Sequence, residues 1–136
     1  MSTGTSGFGI FAQLTRALRH ASSREALQFS IVNETRRLIV YHRAVLLLAD
    51  GGRRLTVAAV SGIPVVERQT PLVRWIERTA GLVRRDDEAA RRIQALDLTA
   101  RPGGPFDAEV KSGWRELGAG FALWCPLLSP RGDFLG

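Results

Sequence analysis

Two apolar runs joined by a glycine pair constrain this chain more than any other feature. Ala44-Val-Leu-Leu-Leu-Ala49 is followed by Asp50-Gly51-Gly52 and then by Leu55-Thr-Val-Ala-Ala-Val-Ser61. Both runs have strand length, and the Asp-Gly-Gly step supplies the positive-φ positions that a tight turn needs. The first run is continuous rather than alternating, which predicts a central strand near 42–49 covered on both faces. Gly62 and Pro64 stop the return strand. A second hairpin is predicted at the carboxyl end, Phe121-Ala-Leu-Trp-Cys-Pro-Leu-Leu-Ser-Pro-Arg-Gly-Asp-Phe-Leu-Gly136. It reads as a buried strand over 121–128, a Pro/Gly turn and the opening of a further strand. That ending predicts that these 136 residues are the front part of a longer polypeptide.

Helices are expected around these hairpins. Residues 1–7 form a polar leader expected to be disordered. Phe8, Phe11, Leu14 and Leu18 recur at helical spacing and predict a helix near 8–20, with His20 in its last turn. Ser22-Ser-Arg-Glu25 has the capping-box pattern, so a second helix is expected over 23–40 with Leu27, Ile31 and Leu38 inward. Thr70-Pro71 is a helix start, a capping hydroxyl before a proline at the first helical position. Leu72, Trp75, Ile76 and Thr79 mark its face, and Gly81 is expected to end it. A helix near 86–95, an extended piece at 96–99 and a loop at 100–105 come next. Asp107 then caps a helix carrying Val110, Trp114 and Leu117.

At 14.9 kDa one core is affordable without staples. Surface scaling gives roughly 7,000 Å² folded against about 21,600 Å² unfolded. A single domain is therefore expected. The net charge of +6 raises the question of nucleic acid. The basic residues are almost all arginine and are scattered, and the densest run, 84–92, carries its own acids. On a helix, Asp87 with Arg91 and Glu88 with Arg92 are acid-first i,i+4 pairs. This pattern predicts a solvated helix face, and no specific nucleic-acid partner is expected. The excess charge lies at Arg16, Arg19, Arg24, Arg36, Arg37 and Arg43, opposed there by Glu25 and Glu34. Contact with anionic lipid or an acidic neighbour remains open on this pattern.

Cys125 is the single cysteine, so no internal disulfide can form, which fits a reducing compartment. No signal-peptide pattern opens the chain, and no apolar stretch approaches the roughly 20 residues that span a bilayer. A soluble, cytoplasmic protein is expected.

Catalytic residues are sparse, and no enzyme is expected. Neither His20 nor His42 stands in a recognised nucleophile arrangement. Two histidines and one cysteine do not close a zinc site, and no P-loop is present. These residues specify no cofactor. Cys125 falls on the same strand face as Phe121 and Leu123, which predicts a buried, inert thiol. Arg131-Gly-Asp133 spells an adhesion tripeptide and reads as a hairpin turn. Trp75, Trp114 and Trp124 admit two readings: core packing, or a pocket in which two indoles and Arg74 or Arg78 hold a planar or anionic small molecule.

In order, the elements are two helices, a central hairpin, a helical segment, and a strand entering a second hairpin through Pro-Leu. This resembles the GAF domain, a small-molecule-binding module of signalling proteins. Ile31 through Leu48 looks like that family's second helix running into its first strand, and Leu55–Gly62 like its second strand. Leu123-Trp-Cys-Pro-Leu-Leu, with Gly132 and Phe134-Leu-Gly, looks like its ending. The likeness covers residues 8–136, with the closing hairpin truncated.

The resemblance implies an α+β, GAF-like (profilin-like) fold: an antiparallel sheet of five to six strands, amino-terminal helices on one face and a pocket on the other. It also implies a non-catalytic sensory or regulatory domain that binds an unknown small-molecule ligand, relays a signal within a longer protein and forms a homodimer through its amino-terminal helices. The pocket candidates are Ser61, Arg74, Trp75, Arg78 and Trp114. No cyclic-nucleotide motif or bilin-type cysteine supports those ligands, and one cysteine cannot support methionine-sulfoxide reduction. The alternatives are a degenerate scaffold for dimerisation or protein docking, and a basic nucleic-acid or membrane-surface binder. Ser61-Gly-Ile-Pro and Pro71-Leu-Val-Arg-Trp-Ile are also similar to GAF-like segments preceding haemolysin-D-type membrane-fusion (efflux) adaptors. That likeness implies proximity to a membrane through downstream regions.

Overall fold

The structure, a computed structural model, describes residues 7–51, 54–98, 113 and 120–136. Two helices open it, α1 (Gly7–Arg19) and α2 (Arg24–Glu34), followed by a 3-10 turn at Thr35–Arg37. Then come β1 (Val45–Ala49), β2 (Leu55–Val60), α3 (Pro71–Arg84), α4 (Asp87–Ala90), β3 (Gln94–Asp97) and β4 (Phe121–Trp124). The expected loop at 100–105 and the helix capped by Asp107 lie outside the described residues, Gly113 excepted. Two compact units emerge, one of Met1–Leu46 with Ala58–Val66 and one of Leu47–Val57 with Glu67–Gly136.

In the first unit α1 packs on α2. Ser23, not Ser22, is the N-cap of α2, its Oγ accepting from the Ala26 N–H at 3.0 Å. The helix also stops earlier than its apolar pattern predicts. Thr35 donates its hydroxyl to the Ile31 carbonyl at 2.8 Å, and Tyr41 donates to the Val32 carbonyl at 2.7 Å. Leu38 N–H closes a 3-10 bond to Thr35. Side chains thus take over carbonyls at the helix end and tighten it into a turn. Leu38 consequently lies exposed rather than inward, with Ile39 and Val40 beside it.

The β1–β2 hairpin forms, with Gly51 at φ 91 and Gly62 at φ 75 in its turn and at its stop. Leu46 is the one buried residue of β1, so the strand is less covered than its continuous apolar run predicts.

In the second unit α3 begins at a Thr70 cap that accepts from Val73 N–H. It runs straight through Gly81, which costs a helix only about 1 kcal/mol. The extra turn carries Leu82 and Val83 onto Leu98, which is 2 % exposed, together with Trp75, Leu96 and Ala122. Strands β3 and β4 pair antiparallel with Gln94 opposite Trp124 and Asp97 opposite Phe121.

The single five- to six-stranded sheet is not what forms. The described residues make two separate two-stranded antiparallel sheets, β1–β2 and β3–β4. The long closing strand expected over 121–128 breaks at Trp124. Pro126 has no N–H for a ladder, and Pro130 and Gly132 turn the chain. The chain continues as a narrow ribbon in which Leu135 N–H bonds the Leu127 carbonyl at 2.8 Å and Leu128 bridges Phe134. Ala49 N–H reaches the Leu135 carbonyl at 2.8 Å, tying the ribbon's end to β1.

Candidate functional site

Of the expected pocket residues, Ser61, Arg74, Trp75 and Arg78 are among the described residues. Ser61 follows β2 in the first unit and clasps the hairpin's base. Its N–H donates to the Ala44 carbonyl at 2.9 Å and its Oγ accepts from the Ala44 N–H at 2.8 Å. Arg74 and Arg78 stand one turn apart on the exposed side of α3, and Arg74 donates to Gln69 at 2.8 Å. Trp75, partly buried, packs against Leu98. A side chain at Gly113 would collide with its indole, so that glycine permits the close approach. Trp114 lies outside the described residues. Within the second unit Trp75 thus packs on Leu98, while Arg74 is exposed.

The third tryptophan is also anchored in the fold. Trp124 Nε1 donates to the Ala90 carbonyl at 2.8 Å, fixing β4 to α4. Around this point lies a polar cluster whose local ion pairs the sequence shows and whose contacts to the ribbon it does not. The two acid-first pairs form, Asp87 with Arg91 at 3.1 Å and Glu88 with Arg92 at 3.3 Å. Arg84 joins them. It pairs with Asp87 through Nη1, while its guanidinium lies 4.2 Å from the centroid of the Phe134 ring. Arg91 also donates to the Gly132 carbonyl. The hydrogen bond from Arg84, and then that from Arg91, holds the Asp87 carboxyl below its ordinary range. Arg84 can be matched with Asp87 by i,i+3 spacing, but its stacking on Phe134 spans fifty residues and leaves no local signal. The arginines clamp the ribbon turn, where Ser129 N–H bonds the Asp133 carbonyl at 2.9 Å. Arg131-Gly-Asp133 is accordingly a turn.

Strand β4 is inverted relative to the expected buried strand. Ala122 and Trp124 point inward, while Phe121 is 73 % and Leu123 58 % exposed. Cys125 is exposed as well, not the buried thiol expected from its place in the run. The period of two holds, but the opposite parity faces the core. Two large apolar residues on one parity outweigh an alanine and a tryptophan in any count of hydrophobicity, yet the tryptophan's bond to α4 selects the other. The resulting outward surface carries Phe121, Leu123, Cys125 and Leu127, with Ile93 and Ala95 beside them at the edge of and on β3.

No grouping of three or more metal-binding side chains occurs among the described residues. No helix among them is long and apolar enough to cross a membrane. Comparisons with protein-family models, with curated proteins and with solved structures return no match, so the GAF resemblance rests on its own motif residues alone.

Proposed function

We propose that this chain is a non-catalytic regulatory interaction module, cytoplasmic, that acts by docking through the outward face of β3–β4. The observation that carries this reading is the parity of β4, which places Phe121 and Leu123 in solvent. An apolar surface on a paired strand, rather than a scatter of single side chains, is the usual mark of a contact site. Among its described residues this face carries one charged side chain, Asp97, at its edge beside Phe121. A second copy therefore meets it without like-charge opposition at the centre, and a two-fold isologous dimer is the partner we assign. Small-molecule sensing and signal relay draw less support, because Trp75 packs on Leu98 and against Gly113.

Sedimentation of the whole chain over a dilution series tests the proposal, with thiol labelling of Cys125 followed in parallel. The expected result is a dimer that dissociates on dilution, with Cys125 labelling faster as it does. Leu123→Glu should leave a folded monomer, since that side chain is already more than half exposed. A wild-type chain that is monomeric throughout, or a Leu123→Glu variant that dimerises unchanged, overturns the reading.

A further inference from the structure

The first unit presents a different surface. Helix α1 turns Leu14 into its packing with α2 and leaves Phe8 81 % and Phe11 57 % exposed. With Thr15, Arg16, Arg19 and His20 they line an open groove of about 410 Å³ along the outer side of the helix. The groove is graded along its axis, aromatic at the amino end and cationic at the carboxyl end. Phe8 and Arg19 are eleven residues apart, or about 16 Å along the helix. No acidic residue occurs anywhere in α1. The unit as a whole sets six arginines against two glutamates and so holds +4 of the chain's +6.

We propose that α1 is an interfacial helix that seats its Phe8–Phe11 end in the surface of an anionic lipid bilayer, with Arg16 and Arg19 at the level of the lipid phosphates. Charge complementarity selects this occupant. A second copy of α1 would bring arginines and no carboxylate to the contact. A polyanion such as duplex DNA would meet two guanidinium groups and derive nothing from the exposed phenylalanines. A bilayer surface uses both ends, burying the apolar part of the helix several ångströms deep while its basic part stays at the headgroups. Each arginine near an anionic leaflet raises partitioning by about fivefold. An adjoining run, Arg36-Arg37-Leu38-Ile39-Val40, repeats the chemistry, with Val40 98 % exposed and Arg37 donating to Gln13 of α1 at 2.9 Å. This surface is distinct in residues and in unit from the β3–β4 face, so either proposal can fail alone.

Flotation of the full chain with phosphatidylcholine vesicles, and with vesicles containing one-quarter phosphatidylglycerol, tests it. Binding is expected to the anionic vesicles alone and to weaken with salt. Arg16→Gln with Arg19→Gln should weaken it at least tenfold, and Phe8→Ser with Phe11→Ser should abolish it. Circular dichroism checks that the latter pair still folds; if it does not, the arginine pair decides. Equal binding to both vesicle types, no binding to either, or retention by the arginine variant overturns the proposal. So does duplex DNA binding tighter than the anionic vesicles and indifferent to Phe8 and Phe11.

Discussion

Helices α1 and α3 are both amphipathic, of 13 and 14 residues, and each can be recognised from apolar spacing. They end in different situations. Helix α3 buries Val73, Ile76, Thr79 and Ala80, four residues along one stripe, and Thr79 returns its hydroxyl to the Trp75 carbonyl at 2.7 Å. Helix α1 buries Leu14 alone and leaves its phenylalanines outside. Amphipathicity shows that a helix has an apolar side. It does not show how much of that side the rest of the chain will cover, since the covering residues lie far away in sequence, as Leu98 and Ala122 do for the cluster at α3.

The contrast predicts unequal responses to truncation. Leu98→Ala, at the centre of the cluster under α3, should cost about 2–5 kcal/mol. Phe11→Ala on α1 should change stability by no more than about 0.5 kcal/mol, although it removes a larger side chain. Urea unfolding of both variants measures the difference. Equal losses would mean that α1 is covered and that the comparison is mistaken.

A sharper probe addresses the close approach of Gly113 to α3. Gly113→Ala forces a methyl group against the Trp75 indole and should destabilise by about 1–3 kcal/mol, with a change in near-ultraviolet dichroism. In a Trp75→Ala background the same substitution should become nearly neutral, and a double-mutant cycle reads the coupling. Additive effects would separate Gly113 from the indole.

The smallest effect expected is electrostatic and local to the end of α3. Hydrogen bonds from Arg84 and Arg91 lower the folded pKa of Asp87 below its ordinary value of 3.8. Its contribution to stability is therefore complete above that value and is lost as pH falls through the lowered one. The carboxylate is exposed, so solvent screens the pair and the change should be slight. Asp87→Asn should flatten the acid limb of a stability–pH profile while leaving neutral pH little altered. An unchanged acid limb would remove Asp87 from the clamp on the ribbon.

Legibility tracks sequence distance. The turn at Asp50-Gly51, the Thr70-Pro71 start and the Asp87–Arg91 pair depend on neighbours within a few residues, and each forms. The stop expected at Gly81 does not, because Leu82 and Val83 gain cover from Leu98, a residue outside any helical window. The pocket candidates rest on residue type, and type cannot say that Trp75 faces Leu98 while Arg74 faces solvent.

Local chemistry by itself determined the Asp50-Gly51 turn, the Thr70-Pro71 helix start and the alternation of β4, since φ preferences, capping hydroxyls and the pleat act over a few bonds. Tertiary structure alone decided the sign of that alternation, the division into two small sheets and the burial of one amphipathic helix but not the other. The reason is physical: a side chain's free energy of burial depends on what arrives to cover it, and for Trp124 that was the Ala90 carbonyl, thirty-four residues away.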